Sequence, residues 1–232
     1  MLRAELWRPG GEGGSVLARK IALDAKALGD PDAAAWSGAD GASVDLAPTP
    51  LPLQPAAYLA QTQRDRPVGR VKQVRVRSLH NGSEIAFHLE WEDSAREDTV
   101  ADNDAFPDAA ALLFPLRKDA PLMTMGTDEK PVAAWHWRAD RPAHARSNVA
   151  QGLGSTRIVD EDSIATSASW RDGRWRLVFR RPLRVSGAES EVIQIGVGDT
   201  LQVAFAVWEG GNGERGGLKS FSPGWHPVTL EN

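Results

Sequence analysis

The chain has 232 residues, and 41 per cent of them are apolar, a fraction far too high for a disordered protein and sufficient for one substantial core. A formal charge of −4 provides no basic excess to neutralise a phosphate backbone, so we expect no nucleic-acid partner. Because cysteine is absent, the chain has no disulfides, thiolate metal sites, self-bound iron–sulfur clusters or cysteine-attached haem.

Residues 1–14 are predicted to form an irregular arm, because they contain four glycines and lack the apolar core of 7–15 residues that a secretory signal requires. Two explanations stay open here: a cytoplasmic protein, or a chain whose export is arranged elsewhere. The longest wholly apolar stretch, Ala109 to Leu116, has eight residues, whereas a membrane-spanning helix needs about 20. We therefore expect no membrane span.

Two short strands are predicted ahead of the first hairpin, at Lys20 to Leu23 and Ser43 to Leu46. Between them lies Trp36, a large ring that needs burial. Four prolines between Leu46 and Pro55 then predict an extended connection at a sheet edge, and they exclude a helix or a central strand.

Two β-hairpins give the clearest local signals. Lys72 to Leu79 and Glu84 to Trp91 flank an Asn-Gly pair, and apolar side chains alternate along the second strand. Ala165 to Trp170 and Trp175 to Arg180 are joined in the same way by an Asp-Gly pair. Both pairs supply the positive φ angles that tight hairpin turns require.

The remaining elements complete a β-rich pattern. Acidic Glu92 to Asp104 is interpreted as a solvated loop whose spacing departs from known calcium loops, and Ala109 to Phe114 as a strand buried on both faces. Leu201 to Trp208 is predicted to be a central strand, followed by a glycine-rich loop from Glu209 to Gly217. Together these elements predict a mainly β fold, an antiparallel β-sandwich with short helical or irregular loop segments, as a single domain over residues 15–232.

Catalytic signatures are mostly missing: the chain has no phosphate loop, no paired-histidine helix and no nucleophile elbow. The five histidines are dispersed, which leaves open only that His88 or His136 lines a site on its strand. Nine tryptophans accompany one tyrosine. Trp135 and Trp137 share one strand face, where they form either the sandwich core or the floor of a site for a sugar or a flat cofactor.

Two motifs identify a family when they are taken together. The first is Leu122-Met123-Thr124-Met125-Gly126, and the second runs from Ala204 to Ser220 through Glu214-Arg215-Gly216-Gly217-Leu218-Lys219. Both resemble the γ subunits of molybdenum enzymes related to dimethylsulfoxide reductase: ethylbenzene dehydrogenase first, and also dimethylsulfide dehydrogenase, selenate reductase and chlorate reductase. Weaker similarity extends over most of the chain, including Trp36-Ser37-Gly38-Ala39 and the first hairpin turn.

This resemblance implies a β-sandwich that holds one non-covalent haem b, with Met125 and Lys219 as the axial ligands of the iron. Met123 is the rival thioether, but Gly126 follows Met125 as the family motif requires. With both axial positions filled by protein, the subunit is expected to transfer electrons and not to catalyse. The lysine must first lose a proton, which costs roughly 5 kcal/mol at pH 7 for an ordinary lysine, so burial and the bond to iron have to offset that cost.

The resemblance also implies partners. They are a catalytic α subunit with a bis-molybdopterin guanine dinucleotide cofactor, a β subunit with iron–sulfur clusters, and a soluble electron carrier, in a periplasmic complex exported with a signal-bearing partner. The competing hypothesis is a carbohydrate-binding β-sandwich module without a cofactor, and a third is a free-standing haem sensor with a labile axial position. Hydrocarbon, sterol, sulfide and oxyanion substrates of the whole complex stay open.

Overall fold

The computed structural model of the protein describes residues 14–53, 67–100, 106–187 and 190–232. The predicted N-terminal arm lies outside these ranges except for Gly14, and so do the ends of the proline-rich connection and of the acidic loop.

Strands dominate the described residues, and helical segments are short. The strands are β1 (Val16–Lys20), β2 (Gly41–Asp45), β3 (Ala47–Pro48), β4 (Gln73–His80), β5 (Glu84–Glu92), β6 (Ala109–Pro115), β7 (Val132–Arg138), β8 (Arg141–Ala150), β9 (Arg157–Trp170), β10 (Arg174–Pro182), β11 (Thr200–Trp208), β12 (Ser220–Phe221) and β13 (His226–Leu230). The helical segments are α1 (Ala25–Leu28) and three 3₁₀ turns, Ala34–Gly38, Leu51–Leu53 and Gly210–Asn212. The mainly β fold predicted from the sequence is confirmed.

The strands form one sheet that folds back on itself. Its order is β13-β1-β4-β5-β10-β9-β8-β7-β6-β11-β12-β3, β2 adds to β4, and β13 also pairs with β11. The long strand β9 pairs with β10 over Ala165–Trp170 and with β8 over residues 157–165, so it passes from one layer to the other. The pairings are antiparallel except at β1, which pairs in parallel with both β13 and β4.

The core lies between a layer that contains β5 and β10 and a layer that contains β6, β7 and β11. Aromatic rings join the two layers: Phe87 of β5 lies 5.8 Å from the Trp135 ring of β7, and Trp91 lies 6.4 Å from Trp137. Both Trp135 and Trp137 are fully buried. They are therefore core residues and do not floor a sugar or cofactor site.

Both predicted hairpins are present, and β6 is buried on both faces as its apolar run indicates. Two local predictions need correction. The first strand is Val16–Lys20 and not Lys20 to Leu23, because Ile21 to Leu23 lead into the Asp24 cap of α1. The proline-rich connection supplies the edge strand β3, but it also forms a short 3₁₀ turn, a geometry that the fixed φ of proline permits.

Candidate functional site

The outer face of β6, β7 and β11 is lined by small side chains, which leave a low apolar surface. These are Ala109, Ala111, Ala134, Ala204 and Ala206. The register sets Ala111 directly between Ala206 of β11 and His136 of β7. Leu122, Met125 and Trp225 pack against this surface from connecting segments, and Phe221 does so from β12. The alanines leave room above the sheet for a flat, apolar ligand, and the larger side chains Leu113 and Trp208 belong to the same cluster.

Lys219 lies at one end of this face, immediately before β12, which pairs with β11 and with the edge strand β3. Only 8 per cent of the residue is exposed, and Nζ lies 5.4 Å from the centre of the Trp208 ring. Among the described residues, the amine forms no ion pair and no hydrogen bond. Burial lowers the pKa of Lys219 to about 8, because the ammonium form loses its hydration without gaining a counter-ion.

The backbone of the Lys219 segment is fixed by strand and side-chain contacts. The Lys219 carbonyl accepts hydrogen bonds from the Thr49 amide at 2.9 Å and from Thr49 Oγ1 at 3.0 Å. Upstream, Glu214 is buried and accepts from the amides of Gly69 and Arg70 at 2.8 and 2.9 Å. Nothing in the sequence alone marks Glu214 as an anchor, because its partners lie about 145 residues away.

Met125 reaches the same face from the connection between β6 and β7. Its amide donates to the Leu122 carbonyl at 2.9 Å, and Gly152 donates to the Met125 carbonyl at 3.1 Å. Met125 has φ 55° and Gly126 has φ 86°, so two successive residues adopt the left-handed conformation. A Cβ on residue 126 would lie 2.8 Å from the Lys130 carbonyl oxygen, and glycine is therefore required there.

The structure brings the two residues predicted as ligands to one cavity. Met125 and Lys219 both line it, together with Leu113, Ala204, Ala206 and Phe221. Met123 lies on the rim, 41 per cent exposed, whereas Met125 packs against the alanine surface. The cavity thus offers the thioether of Met125 and the Lys219 amine, whose pKa is lowered, in a mostly apolar lining.

The histidines do not form a metal site. His80 ends β4 and is buried, so it does not belong to an exposed turn. His88 is buried against Trp36, and one ring nitrogen lies 3.0 Å from the Pro31 carbonyl. His136 lies on the alanine surface 5.2 Å from the Trp208 ring, and burial foremost, then nearby arginines, lower its pKa to about 4. Of the two candidate histidines, only His136 is therefore near the cavity.

The acidic loop after β5 is not uniformly solvated. Asp93 is 5 per cent exposed, and burial foremost, then the charge of Asp108, raises its pKa to about 7. The loop returns to the body of the protein, where the amide of Glu97 donates to Asp108 at 2.9 Å. A run of acidic residues does not reveal which member folds inward.

None of the helices within the described ranges has the length and apolar character needed to cross a membrane.

Comparison with a solved structure supports the fold. The chain is similar to a protein of Bacteroides uniformis that is provisionally described as carbohydrate-binding, with a TM-score of 0.57 and 15 per cent identity over 94 per cent of this chain and all of that one. At this identity the likeness concerns the fold alone.

Two relatives share more of the sequence. The chain is 31 per cent identical over 197 residues to a provisionally named respiratory nitrate reductase heme subunit of Haloferax mediterranei, covering 84 per cent of this chain and 66 per cent of that protein. It is 35 per cent identical over 156 residues to the chlorate reductase subunit gamma of Ideonella dechloratans, covering 66 and 63 per cent of the two chains. The chain thus spans slightly less than two thirds of the length of each relative.

The family model described as ethylbenzene dehydrogenase matches residues 33–157 and 152–220, which include the Met125 connection and the Lys219 segment. The resemblance of the two motifs is thereby confirmed, and the chain belongs to the ethylbenzene dehydrogenase family.

Proposed function

We propose that this chain is the haem b electron-transfer subunit of a heterotrimeric molybdoenzyme, and that Met125 and Lys219 bind the haem iron from opposite sides. The names of the relatives, a nitrate reductase heme subunit and a chlorate reductase subunit gamma, support the class of protein. Residues 15–232 are proposed to form a single haem-binding domain, which is supported by the pairing of β1 with β13.

The observation that carries the proposal is the state of the Lys219 amine. A lysine binds iron only as the free base, and an ordinary lysine pays about 5 kcal/mol at pH 7 for that deprotonation. With its pKa at about 8, Lys219 pays about 1 kcal/mol, because the protein has already removed the amine from water. Burial favours the uncharged form of the amine. A lysine that binds iron requires this form, whereas a lysine on the surface does not.

The residues around the cavity fit a flat macrocycle. Ala204 and Ala206 keep the floor low, Phe221 and Leu113 supply apolar contact, and Gly126 lets the Met125 connection pack closely against the sheet. Haem supplies reversible one-electron chemistry when bound, and a methionine ligand shifts that chemistry towards the reduced form. Met125 and Lys219 would hold the haem iron, and the chain's own role would be to bind, orient and shield the cofactor.

The partners and the location follow from the same proposal. We expect a catalytic α subunit with a bis-molybdopterin guanine dinucleotide cofactor, a β subunit with iron–sulfur clusters, and a soluble carrier that exchanges electrons with the γ haem. The complex is proposed to work in the periplasm, with export arranged through a signal-bearing partner. Expression together with the neighbouring genes tests this arrangement, because a true subunit co-purifies with a molybdenum-containing chain.

Three variants of the haem-loaded chain test the ligands. Met125→Ala and Lys219→Ala should each convert the low-spin absorbance and magnetic-resonance spectra to high-spin or mixed spectra, because each removes one axial donor. Met123→Ala is the matched control: its thioether lies two residues from Met125 on the rim of the same cavity, and its spectra should equal those of the parent.

Spectra that stay low-spin in both ligand variants would contradict the assignment of Met125 and Lys219. A purified chain that stays colourless when reconstituted with haem, and binds oligosaccharides instead, would favour the carbohydrate-binding module. Rapid carbon monoxide binding by the reduced chain at neutral pH would favour the haem sensor.

A further inference from the structure

A polar cavity, separate from the one that Met125 and Lys219 line, lies at the ends of strands β5 and β11. Asp93 follows β5 and Glu209 follows β11, and both line one cavity that opens to solvent. The two residues are 5 and 7 per cent exposed. Asp93 Oδ2 and Glu209 Oε2 are buried without a hydrogen-bond partner, and within the described ranges neither residue forms an ion pair.

By contrast, the carboxylate oxygens of the neighbouring residues Asp108 and Glu214 accept hydrogen bonds. Asp108 accepts from the amides of Gly210 and Glu97 and from Trp175 Nε1, at 2.9 to 3.0 Å. Both carboxylate oxygens of Glu214 accept backbone amides. The two unpartnered oxygens of Asp93 and Glu209 are therefore exceptions in a well-ordered hydrogen-bond network, and buried oxygens of this kind require an explanation.

We infer that Asp93 and Glu209 form a binding site for a hydrated alkaline-earth cation, which joins the end of β5 to the segment that leads to Lys219. The proposal is independent of the haem function. Carboxylate oxygens select hard cations over transition metals, which favour imidazole or thiolate. Because no set of three His, Cys, Asp or Glu side chains in the described part of the chain is arranged to hold a metal, water must complete the coordination.

Charge and access support this inference. Two buried carboxylates without an ion-paired cation are costly, and the raised pKa of Asp93 reflects that cost. Arg70 lies close enough to attract Glu209, but it does not form an ion pair with it. Both residues line the same cavity, which opens to solvent, so an ion that enters it lies beside both side chains.

The test uses the full chain without haem, freed of divalent ions with a chelator. Titration with MgCl₂ and, separately, CaCl₂ is followed by isothermal calorimetry and by the thermal unfolding midpoint. We expect saturable binding and a rise in the midpoint with at least one ion. Asp93→Asn and Glu209→Gln, which preserve shape, should each weaken binding at least about tenfold.

Glu92→Gln is the matched control, because Glu92 lines the same cavity but its side chain is 85 per cent exposed. Its binding should equal that of the parent. The inference fails if neither ion binds the parent chain saturably, or if Asp93→Asn and Glu209→Gln bind as the parent does. If the parent chain binds neither ion but becomes more stable on acidification, the two carboxylates share a proton instead. None of these outcomes depends on whether haem binds.

Discussion

At the scale of single residues, the cavity combines a strained backbone position with a desolvated amine. Met125 adopts φ 55°, a conformation that costs an L-residue with a side chain about 1–2 kcal/mol. Lys219 is buried with a depressed pKa. Unfavourable local states of this kind persist only where the surrounding structure enforces them, and they occur most often at functional sites.

Gly126→Ala tests how far the close packing of the Met125 connection depends on glycine. The new Cβ would clash with the Lys130 and Ala150 carbonyl oxygens, at 2.8 and 2.9 Å, so we expect a loss of about 3–4 kcal/mol of unfolding free energy. Gly154→Ala is the control, because φ is +80° there but nothing lies within 4 Å of the added Cβ. It should lose only about 1–2 kcal/mol in the same urea titration. Equal losses would show that the close contact at Gly126 is unimportant.

At the scale of elements, the connection from β11 to β12 is a preformed support for Lys219. It turns through the Gly210–Asn212 3₁₀ segment, and the indole of Trp208 donates to the Gly216 carbonyl at 2.9 Å. Glu214 ties this connection to the start of β4 through the Gly69 and Arg70 amides. The connection is therefore held at both ends, and Lys219 keeps its place although none of the described residues pairs with its amine.

Glu214→Ala should loosen this connection without touching the cavity. It leaves buried amides unpaired, so we expect a loss of about 2–4 kcal/mol in chemical unfolding, together with faster transfer of haem to apomyoglobin. Glu92→Gln, an exposed acidic side chain on β5, should change neither quantity. If haem transfer from the Glu214 variant is as slow as from the parent, the anchor does not support the ligand segment.

At the scale of the whole molecule, a closed set of strands buries several titratable groups. His88 lies between Arg77, Glu90 and Arg176 and packs on Trp36, and burial foremost lowers its pKa to about 4. The pKa values of His80, His136 and His226 are lowered as well. Asp93 and Asp108 have raised pKa values, so through these two groups acidification increases the stability of the folded state. The pH dependence of stability is therefore a balance of opposing groups.

The contribution of His88 has a definite sign. Between its unfolded pKa near 6.5 and its folded pKa of about 4, the unfolded state binds the additional proton, so acidification through this window lowers stability by up to about 3 kcal/mol. His88→Gln should remove this part of the slope when unfolding free energy is measured from pH 7.5 to 4. Identical slopes in the parent and in the variant would refute the assignment to His88.

The sequence by itself determined the features that depend on near neighbours along the chain. Alternation and Asn-Gly or Asp-Gly turns specified both hairpins, and an uninterrupted apolar run specified a strand covered on both faces. Strand β8 and the part of β9 before Ala165 were not predicted, because their many charged and half-buried residues and their register shifts give no clean alternation. The motifs around Met125 and Lys219 indicated the family, which the family model confirms.

Tertiary structure alone decided which polar residues are buried and which distant segments meet. The Met125 connection and the Lys219 segment share a cavity only because β6 pairs with β11, and Glu214 and Thr49 find their partners only across the folded sheet. The same packing turns Asp93 inward and makes β1 the parallel strand between β4 and β13. Burial and long-range pairing are properties of the packed layers, so no local pattern of residues could specify them.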